Sequence, residues 1–422
     1  MTPQQIMDRR DRLLGAGAPL FYNHPIHIVR GSGVDLWDAD GKHYVDMYNN
    51  VPCVGHTHPH VVEAMTRAQS TLNVHSRYLH EGILDFAERL VGLHGPAIES
   101  VIVSCSGTEA IEVALRMARF ATGKGGIVCT NGTYHGNSEA VSKLSRLPLG
   151  DNQHADVRSF PFPEKYRPIV TGVTEEELTE SYLAQLKQAI DGFEASGVGF
   201  AGLILCSILA NEGLPDIPVG FMARAAEMVR AAGGIVISDE VQAGYCRTGK
   251  WWGYEITGYT PDIVVTGKPM GNGLPLAATA ASRKLVDGFR ARTRYFNTFA
   301  SSPLQAAVGS AVLDVIENEK LADNVATVGA ALKTALAARK RPWIGDVRGV
   351  GLFIGVELVK PDGTPDMDRT VEMVNLLKDK GFLTSNAGIF KNTVKIRPPL
   401  VFKQHHADAF LTAYDETLAA MD

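Results

Sequence analysis

Two residues capable of chemistry each follow a short apolar run near the middle of the chain. Asp239 follows the run 234–237, and Lys268 follows the run 263–265. Apolar runs of this length are typical of buried parallel strands. Because ligands bind at the carboxyl ends of strands in an open α/β sheet, we expect the carboxylate and the amine to meet in one crevice. The alternatives are a structural ion pair at a sheet edge and two unrelated surface charges.

A carboxylate and an amine in one crevice suit pyridoxal 5'-phosphate (PLP). The carboxylate keeps the pyridine nitrogen protonated, which makes the ring an electron sink. The lysine amine forms a Schiff base with the aldehyde and later moves protons. The sequence therefore predicts a PLP site built on Asp239 and Lys268.

A third signal is the stretch of small polar residues that follows the strand-like run 101–103. Ser106, Gly107 and Thr108 come next, and helical spacing of apolar residues begins at Ala110. A strand, a short polar loop with glycine and then a helix is the arrangement of an anion site, because free amides and the helix dipole meet a phosphate there. The alternative is an ordinary Ser or Thr helix cap.

An aromatic residue follows another strand-like run, at 126–129. Tyr134 lies in the loop after this run, with His135 beside it. An aromatic ring at the carboxyl end of a strand can stack on a flat cofactor. The alternative is a loop aromatic that packs on the rim of the domain.

Three alternating histidines, His56, His58 and His60, resemble the ligand pattern of metal-dependent hydrolases. The alternative, which we favour, is a turn whose histidines make ordinary hydrogen bonds, because no matching ligand cluster follows in the sequence. A hydrolase using these three residues is thus a distant hypothesis, and no metal is expected.

The composition is that of an ordinary soluble globular protein. The 422 residues are 45% hydrophobic and 21% charged, which suggests two or three domains. The net charge of -5 gives no indication of binding to nucleic acid or anionic membranes. Five scattered cysteines without a CxxC pair, and a start without the apolar core of a secretory signal, predict a cytoplasmic protein with reduced thiols.

Strands alternating with helices over most of the chain predict an α/β fold with a mostly parallel central sheet between helices. A small β-meander at 27–46 cannot fold alone. We expect it to join the α+β pattern of the C-terminal region in a small domain. The predicted division is 1–60 for the N-terminal segment of the small domain, 61–305 for the large cofactor domain, and 306–422 for the C-terminal small domain with its long linking helix.

At this point the chain resembles the class III aminotransferases, the PLP enzymes of fold type I. The most specific likeness lies in SDEVQAGYCRTGK (238–250) and TGKPMGNGLP (266–275), and the resemblance extends from about 25 to 419. Within the family it is most similar to the branch of ethanolamine-phosphate phospho-lyase and alanine–glyoxylate aminotransferase. The stretches carrying that likeness are NNVPCVGHTHPHVVEA, LNVHSRYLH, YFNTFASSPLQAAVG and GDVRGVGLFIGVEL.

The resemblance implies a role for each candidate residue. Lys268 would carry the cofactor as a Schiff base, and Asp239 would pair with the pyridinium nitrogen. The other implied contacts are Gln242 with the ring hydroxyl, Val241 under the ring, Tyr134 above it with His135 beside, Ser106, Gly107 and Thr108 with the phosphate, Thr298 with the phosphate of the neighbouring subunit in a homodimer, and Arg397 with a substrate carboxylate.

Three departures from the family pattern bear on the substrate side. Cys206 and Ser207 stand where the family usually has Glu-Pro, and Ser302 stands where it usually has Asn. The loop 210–216 differs from the usual glycine-rich form. The polar contacts of the missing glutamate are therefore not assigned by the resemblance.

Two reactions share this catalytic core. In the first, an amino group moves from a small primary amine or amino acid to a 2-oxo acid. In the second, phosphate is eliminated from an O-phosphorylated amino alcohol such as phosphoethanolamine. The choice depends on cations that grip the substrate, since arginine matches phosphate oxygens. Arg77, Arg397 and Lys391 are the candidates, and a solvated surface charge is the alternative for Arg77 and Lys391.

Overall fold

The computed structural model describes residues 1–145 and 154–422. Its strands are β1 (Ile28–Ser32), β2 (Asp35–Asp38), β3 (His43–Asp46), β4 (Ser100–Ser104), β5 (Gly126–Thr130), β6 (Val157–Phe160), β7 (Phe200–Cys206), β8 (Ile235–Asp239), β9 (Ile263–Thr266), β10 (Ala277–Ala281), β11 (Ile344–Gly349), β12 (Ile354–Leu358), β13 (Phe382–Leu383), β14 (Ser385–Ala387) and β15 (Thr393–Ile396). Its helices are α1 (Pro3–Leu14), α2 (Pro59–Thr71), α3 (Glu81–Gly92), α4 (Gly107–Thr122), α5 (Glu139–Ser142), α6 (Glu175–Ser196), α7 (Phe221–Ala231), α8 (Gly253–Thr257), α9 (Arg283–Arg292), α10 (Pro303–Asn318), α11 (Leu321–Ala338), α12 (Met367–Asp379) and α13 (Gln404–Met421).

A seven-stranded sheet forms the centre of the large domain. Its strand order is β4-β10-β9-β8-β7-β5-β6, and all neighbours are parallel except β10, which runs antiparallel to β4 and β9. The central strands are apolar on both faces because helices cover both. On β7, Leu203 and Leu205 pack in one apolar cluster, whereas Ile204 packs in the cluster on the opposite face. The predicted α/β fold with a mostly parallel sheet is confirmed.

The two ends of the chain build the small α+β domain together. β1, β2 and β3 form the antiparallel meander that the sequence predicts, and β13 adds to it in parallel with β3. A second antiparallel sheet, in the order β11-β12-β15-β14, belongs to the C-terminal region alone. The pairing of β3 with β13 supplies the partner that the meander needs. The exact domain boundaries at 60 and 305 stay a prediction.

The long helical pattern that begins at residue 304 is two helices, α10 and α11. They separate at Glu319 and Lys320, where the sequence indicated a break. Lys320 has a left-handed backbone with φ 52°, which ends one helix and starts the next in a new direction. In the described part of the chain, no helix is both long and apolar enough to cross a membrane.

Candidate active site

A cavity of about 210 Å³ lies at the carboxyl ends of the central strands of the large sheet. Asp239 ends β8, and Lys268 follows β9 by two residues. Both line the cavity, as the sequence predicts for two residues after neighbouring parallel strands. The lining residues are Ser106, Gly107, Thr108, Tyr134, His135, Gly136, Asp239, Val241, Gln242 and Lys268.

Asp239 is buried and held in one orientation from two sides. Its Oδ1 accepts a hydrogen bond from the backbone amide of Val241 at 3.0 Å, and its Oδ2 lies 2.7 Å from Nδ1 of His135. The other ring nitrogen of His135 lies 3.2 Å from the hydroxyl of Thr133. The carboxylate therefore sits against a fixed imidazole, and the predicted place of His135 beside a cofactor ring stays a prediction.

Lys268 opens a single 3-10 turn, Lys268–Gly271, directly after Gly267. Burial lowers the pKa of its amine, and the positive charge of Arg397 lowers it further, whereas the negative charge of Asp239 opposes this shift. Desolvation disfavours the charged form of an amine. The result is a lysine that gives up its proton more readily than a lysine in water, as proton transfer to and from carbon requires.

The start of α4 forms the anion-binding part of the cavity. Ser106 caps the helix, and its Oγ accepts from the amide of Glu109 at 3.2 Å, so the simple cap reading is correct for this hydroxyl. The amides of the first turn remain without helical partners, which is the condition for binding a phosphate. The space for it depends on glycine: a Cβ at Gly107 would lie 3.1 Å from Val241, and one at Gly136 would lie 2.5 Å from the Thr108 hydroxyl. These residues fit the phosphate of PLP.

Gln242 connects the cavity to the small domain. Its Oε1 accepts a hydrogen bond from Arg397, and its Nε2 donates to Oδ1 of Asn211 at 3.3 Å. Asn211 in turn donates to the backbone oxygen of Tyr134 at 3.3 Å. Tyr134 is partly exposed at the cavity mouth. The predicted contacts of Gln242 with the ring hydroxyl, and of Tyr134 and Val241 with the two ring faces, stay predictions.

Arg397 has a second cation beside it that sequence reasoning missed. Lys395 and Arg397 are two positions apart at the end of β15, so their side chains leave the same face, and they are only 6% and 5% exposed. Arg397 is fixed by its Nε, which donates to the backbone oxygen of Tyr48 at 3.0 Å. Burial and the charge of Arg397 lower the pKa of Lys395 to about 7. The signal available in the sequence was this alternation, Lys-Ile-Arg, directly before two prolines.

The position of the missing family glutamate is filled by a thiol. Cys206 ends β7 opposite Asp239 of β8, and burial raises its pKa well above the ordinary value, so it is a neutral group. A carboxylate nevertheless comes close from the next loop. Glu212 is 4% exposed, its Oε1 accepts from the hydroxyl of Thr130 at 3.0 Å, and its other oxygen has no hydrogen-bond partner in the described residues. Burial raises the pKa of Glu212.

Three candidates lie away from this cavity in the subunit. Thr298 is exposed and lines a separate, mostly apolar depression of about 630 Å³. Arg77 is exposed with its guanidinium 3.9 Å above the ring of Phe296. Lys391 is an exposed residue, which agrees with the surface-charge alternative.

The alternating histidines do not converge on a common point. His56 bonds to Asp46 at 2.8 Å, and the two others bond to carboxylates of α10 and its C-terminal end, His58 to Glu319 at 3.0 Å and His60 to Asp314 at 2.9 Å. Each imidazole serves a different carboxylate, so the three do not form one ligand set. The hypothesis of a hydrolase that uses them is not supported. The ordinary hydrogen bonds of the favoured alternative are present, although His60 lies in the first turn of α2 rather than in a turn before it.

Comparison with known proteins adds the following findings. The family model described as "Aminotransferase class-III" matches residues 19–418. The chain is 33% identical to alanine–glyoxylate aminotransferase 2-like of Drosophila melanogaster, over 100% of this chain and 88% of that protein. It is 31% identical to ethanolamine-phosphate phospho-lyase homolog 1 of Caenorhabditis elegans, over 100% and 94%. Among solved structures, a phospholyase from Arthrobacter in complex with phosphoethanolamine superposes with a TM-score of 0.95 at 38% identity, over 99% of this chain and 100% of that one.

Proposed function

The chain belongs to the class III aminotransferases, which are PLP-dependent enzymes, and we propose that it transfers the amino group of a small primary amine or amino acid to a 2-oxo acid. The observation that carries this proposal is that Lys268 and Asp239 line the same cavity, with a helix N-terminus at its edge. An amine of lowered pKa, a buried carboxylate and an anion site together are what PLP chemistry at an amine-bearing carbon needs.

The bound cofactor supplies an electron-withdrawing ring that accepts the electron pair of a breaking C–H bond. Lys268 would remove the proton from the amine-bearing carbon of the substrate, because its lowered pKa leaves a neutral amine available. In transfer, the same lysine would deliver a proton to the adjoining carbon of the cofactor. Asp239 keeps a proton at the pyridine nitrogen. His135 fixes the orientation of Asp239 through the 2.7 Å contact.

The remaining lining residues hold the cofactor in this proposal. Its phosphate is bound by the loop that begins at Ser106 and by the amides of Gly107 and Thr108. The tight packing around Gly107 and Gly136, which leaves space only for glycine, supports this. Val241 and Tyr134 would contact the two faces of the ring. Gln242 reaches the ring hydroxyl while it keeps its contact with Arg397.

A second candidate is elimination of phosphate from an O-phosphorylated amino alcohol. It is favoured by the two adjacent buried cations, Lys395 and Arg397, since a dianionic phosphate matches two positive charges better than a carboxylate does. It is also favoured by the likeness to the Arthrobacter phospholyase, whose structure contains phosphoethanolamine. In either reaction we propose that Arg397 and Lys395 bind the anionic end of the substrate.

We further propose a homodimer, because two segments that touch through Arg77 and Phe296 each expose a large apolar side chain. Leu79 and Phe299 are 103% and 77% exposed, next to Arg77 and Thr298. Monomeric proteins rarely leave such a patch in water. In the dimer Thr298 reaches the cofactor phosphate of the partner subunit, and Arg77 comes to the partner's site with it. The five cysteines, all free, support the proposed cytoplasmic location.

Product analysis of the cofactor-loaded enzyme separates the two reactions. With phosphoethanolamine alone, release of inorganic phosphate without any 2-oxo acid indicates elimination. With alanine, product formation that depends strictly on 2-oxoglutarate indicates transfer. With another small amine, the same holds for product formation that depends strictly on pyruvate or 2-oxoglutarate. The Lys268→Ala variant is the negative control for both. Absence of both reactions over a panel of small amines would contradict the proposal.

A further inference from the structure

The loop between β7 and α7 brings two polar side chains to the active site on an unusual backbone. Gly213 has φ 106°, and the buried residue that follows it, Leu214, has φ 60°. A left-handed conformation costs a residue other than glycine about 1–2 kcal/mol. Such a conformation persists only where surrounding contacts determine it. The structure should therefore contain groups that hold this loop.

Arg348 at the end of β11 is the group that holds it from the small domain. It is 2% exposed, and its Nε donates to the backbone oxygen of Gly213 at 3.0 Å. Its two other nitrogens point to carboxylates, one to Asp346 at 3.2 Å and one to Glu357 at 2.5 Å. Three acceptors in fixed directions use the planar fork of the guanidinium. The direction of the bond to Gly213 is consequently set by the two carboxylates.

The loop passes this restraint to the part of the site that faces the substrate. Asn211, two residues before Gly213, bonds to Gln242 and to the backbone of Tyr134. Gln242 accepts a hydrogen bond from Arg397, the cation proposed to bind the anionic end of the substrate. A continuous series of contacts thus leads from Arg348 through Gly213, Asn211 and Gln242 to Arg397.

We propose that Arg348 is a positioning residue, which through the 211–214 loop sets the orientation of Gln242 and Arg397 for an anionic amine substrate. The proposal rests on the proposed function for its substrate readout. Arg348 touches neither the cofactor cavity nor the catalytic lysine, since it is absent from the cavity lining. Its loss should therefore weaken substrate binding and leave cofactor binding and proton transfer largely as they are.

The test compares Arg348→Lys with Arg167→Ala in the cofactor-loaded enzyme. Lysine keeps the charge beside Glu357 but cannot donate along three fixed directions. Arg167 is the matched control, because it binds the other oxygen of Glu357 and does not contact the loop. We expect Arg348→Lys to raise the KM of the anionic amine at least tenfold with kcat within threefold of wild type, and Arg167→Ala to change KM less than twofold.

Hydrogen–deuterium exchange supplies a readout that needs no turnover. The amide of Leu214 bonds to the backbone oxygen of Leu209 at 2.9 Å, so its exchange reports the order of the loop. Faster exchange in residues 209–214 is expected for Arg348→Lys and not for Arg167→Ala. This result stands even where no amine is turned over, so failure of the proposed function and failure of the present proposal are distinguishable.

A double-variant cycle decides whether the effect passes through the loop. In an Asn211→Ala background, Arg348→Lys should raise KM less than twofold further, because coupled residues are not additive. Full additivity, an equal KM effect of Arg167→Ala, or unchanged exchange at 209–214 would each overturn the proposal. If Arg348→Lys does not fold, Asp346→Ala removes one acceptor of the same guanidinium and should give the same pattern, a few-fold in size. An unchanged KM and unchanged exchange in that variant would equally overturn it.

Discussion

At the scale of single residues, the proposed mechanism makes turnover depend on Lys268. It is the one lysine in the cavity lining, and its lowered pKa suits it to take and return a proton. Lys268→Ala should therefore lower kcat by about 10³-fold or more, in the upper range for a lost acid–base group. The measurement is steady-state kinetics on enzyme incubated with excess cofactor, together with the unfolding temperature to verify the fold.

The exposed lysine Lys391 is the matched control for this variant. Lys391→Ala removes the same side chain at the surface and should leave kcat and the unfolding temperature unchanged. Asp239→Asn keeps the size of the carboxylate but not its charge, and it should also lose most turnover. Near-wild-type kcat in either cavity variant would refute the assigned mechanism.

The proposed contact of Lys395 with the anionic end of the substrate predicts that substrate binding depends on pH. Burial first, and then the charge of Arg397, lower its pKa to about 7, so its amine is charged below pH 7 and neutral above it. An anionic substrate is bound better by the charged form. The KM should accordingly rise as the pH increases from 6 to 8, by up to about tenfold per unit above the pKa where the proton is required. Initial rates over a pH series measure this.

Lys395→Arg is the variant that isolates this effect. Arginine stays protonated over the whole range, so the rise of KM between pH 6 and 8 should flatten while the affinity at pH 6 is kept. A pH profile of KM identical to that of the wild type would show that another group is responsible.

The presence of Asp239 and Lys268 in one cavity was predictable because each comes shortly after an apolar run, and parallel strands place such residues at one edge of the sheet. Lys395 and Glu212 were not, since alternation along a strand indicates that Lys395 and Arg397 share a face but not which face meets the cavity. Glu212 lies in a loop that contains two residues of positive φ, Gly213 and Leu214, and the backbone oxygen of Gly213 accepts a hydrogen bond from Arg348, 135 residues away in the chain.

At the scale of elements, α11 approaches the backbone turn at Gly351 so closely that the size of the side chain at position 329 is limited. A Cβ at Gly329 would clash with the carbonyl oxygen of Gly351, which is backbone and cannot rotate away. Gly329→Ala should therefore destabilise the protein by roughly 1–3 kcal/mol, as overpacking does. Thermal unfolding of the loaded enzyme checks this as a lowered unfolding temperature.

Gly288 in α9 provides the opposite case. A Cβ there meets nothing within 4 Å, so Gly288→Ala gains helix propensity without a clash and should stabilise by up to about 1 kcal/mol. The two variants make the same chemical change in a helix and are expected to move the unfolding temperature in opposite directions. Equal shifts would mean that the packing of Gly329 does not decide its identity.

The positions of helices and strands could be predicted from hydrophobic periodicity and from residues that end an element, whereas the directions of the strands could not. The break of the long helix near Glu319 and the meander at 27–46 are in the structure as the sequence indicates. The antiparallel direction of β10 was not indicated, because Ala277–Ala281 reads the same in either direction and only its pairing with β4 and β9 fixes it.

At the scale of the whole molecule, β3 and β13 pair across more than 330 residues and put both chain ends in one small domain. A side chain of this domain contacts the lining of the large-domain cavity, since Arg397 donates a hydrogen bond to Gln242. The sequence supports such a domain only through the resemblance and through the inability of the meander to fold alone. The order of the strands in the large sheet depends on long-range pairing that periodicity does not contain.

The proposed dimer predicts that one site is built from two subunits, and subunit complementation tests this directly. Lys268→Ala abolishes proton transfer in its own subunit. Thr298→Glu places a negative charge next to the phosphate that Thr298 is proposed to bind, and each variant alone should therefore be inactive as a homodimer. In a mixed dimer, the Thr298→Glu subunit keeps Lys268 and receives the intact Thr298 of its partner.

Co-expression of the two variants with different affinity tags, followed by purification through both tags, gives that mixed dimer. One of its two sites is then complete, so about half of the wild-type activity per dimer is expected. The control is a mixed dimer of a wild-type chain and a chain with both substitutions. This control dimer has no complete site if Thr298 acts across the interface. It has one complete site if Thr298 acts within its own subunit. Activity in the control together with none in the first mixture would place Thr298 at the site of its own chain. We expect the opposite result, because Thr298 is exposed and lies outside the cavity lining of its own chain.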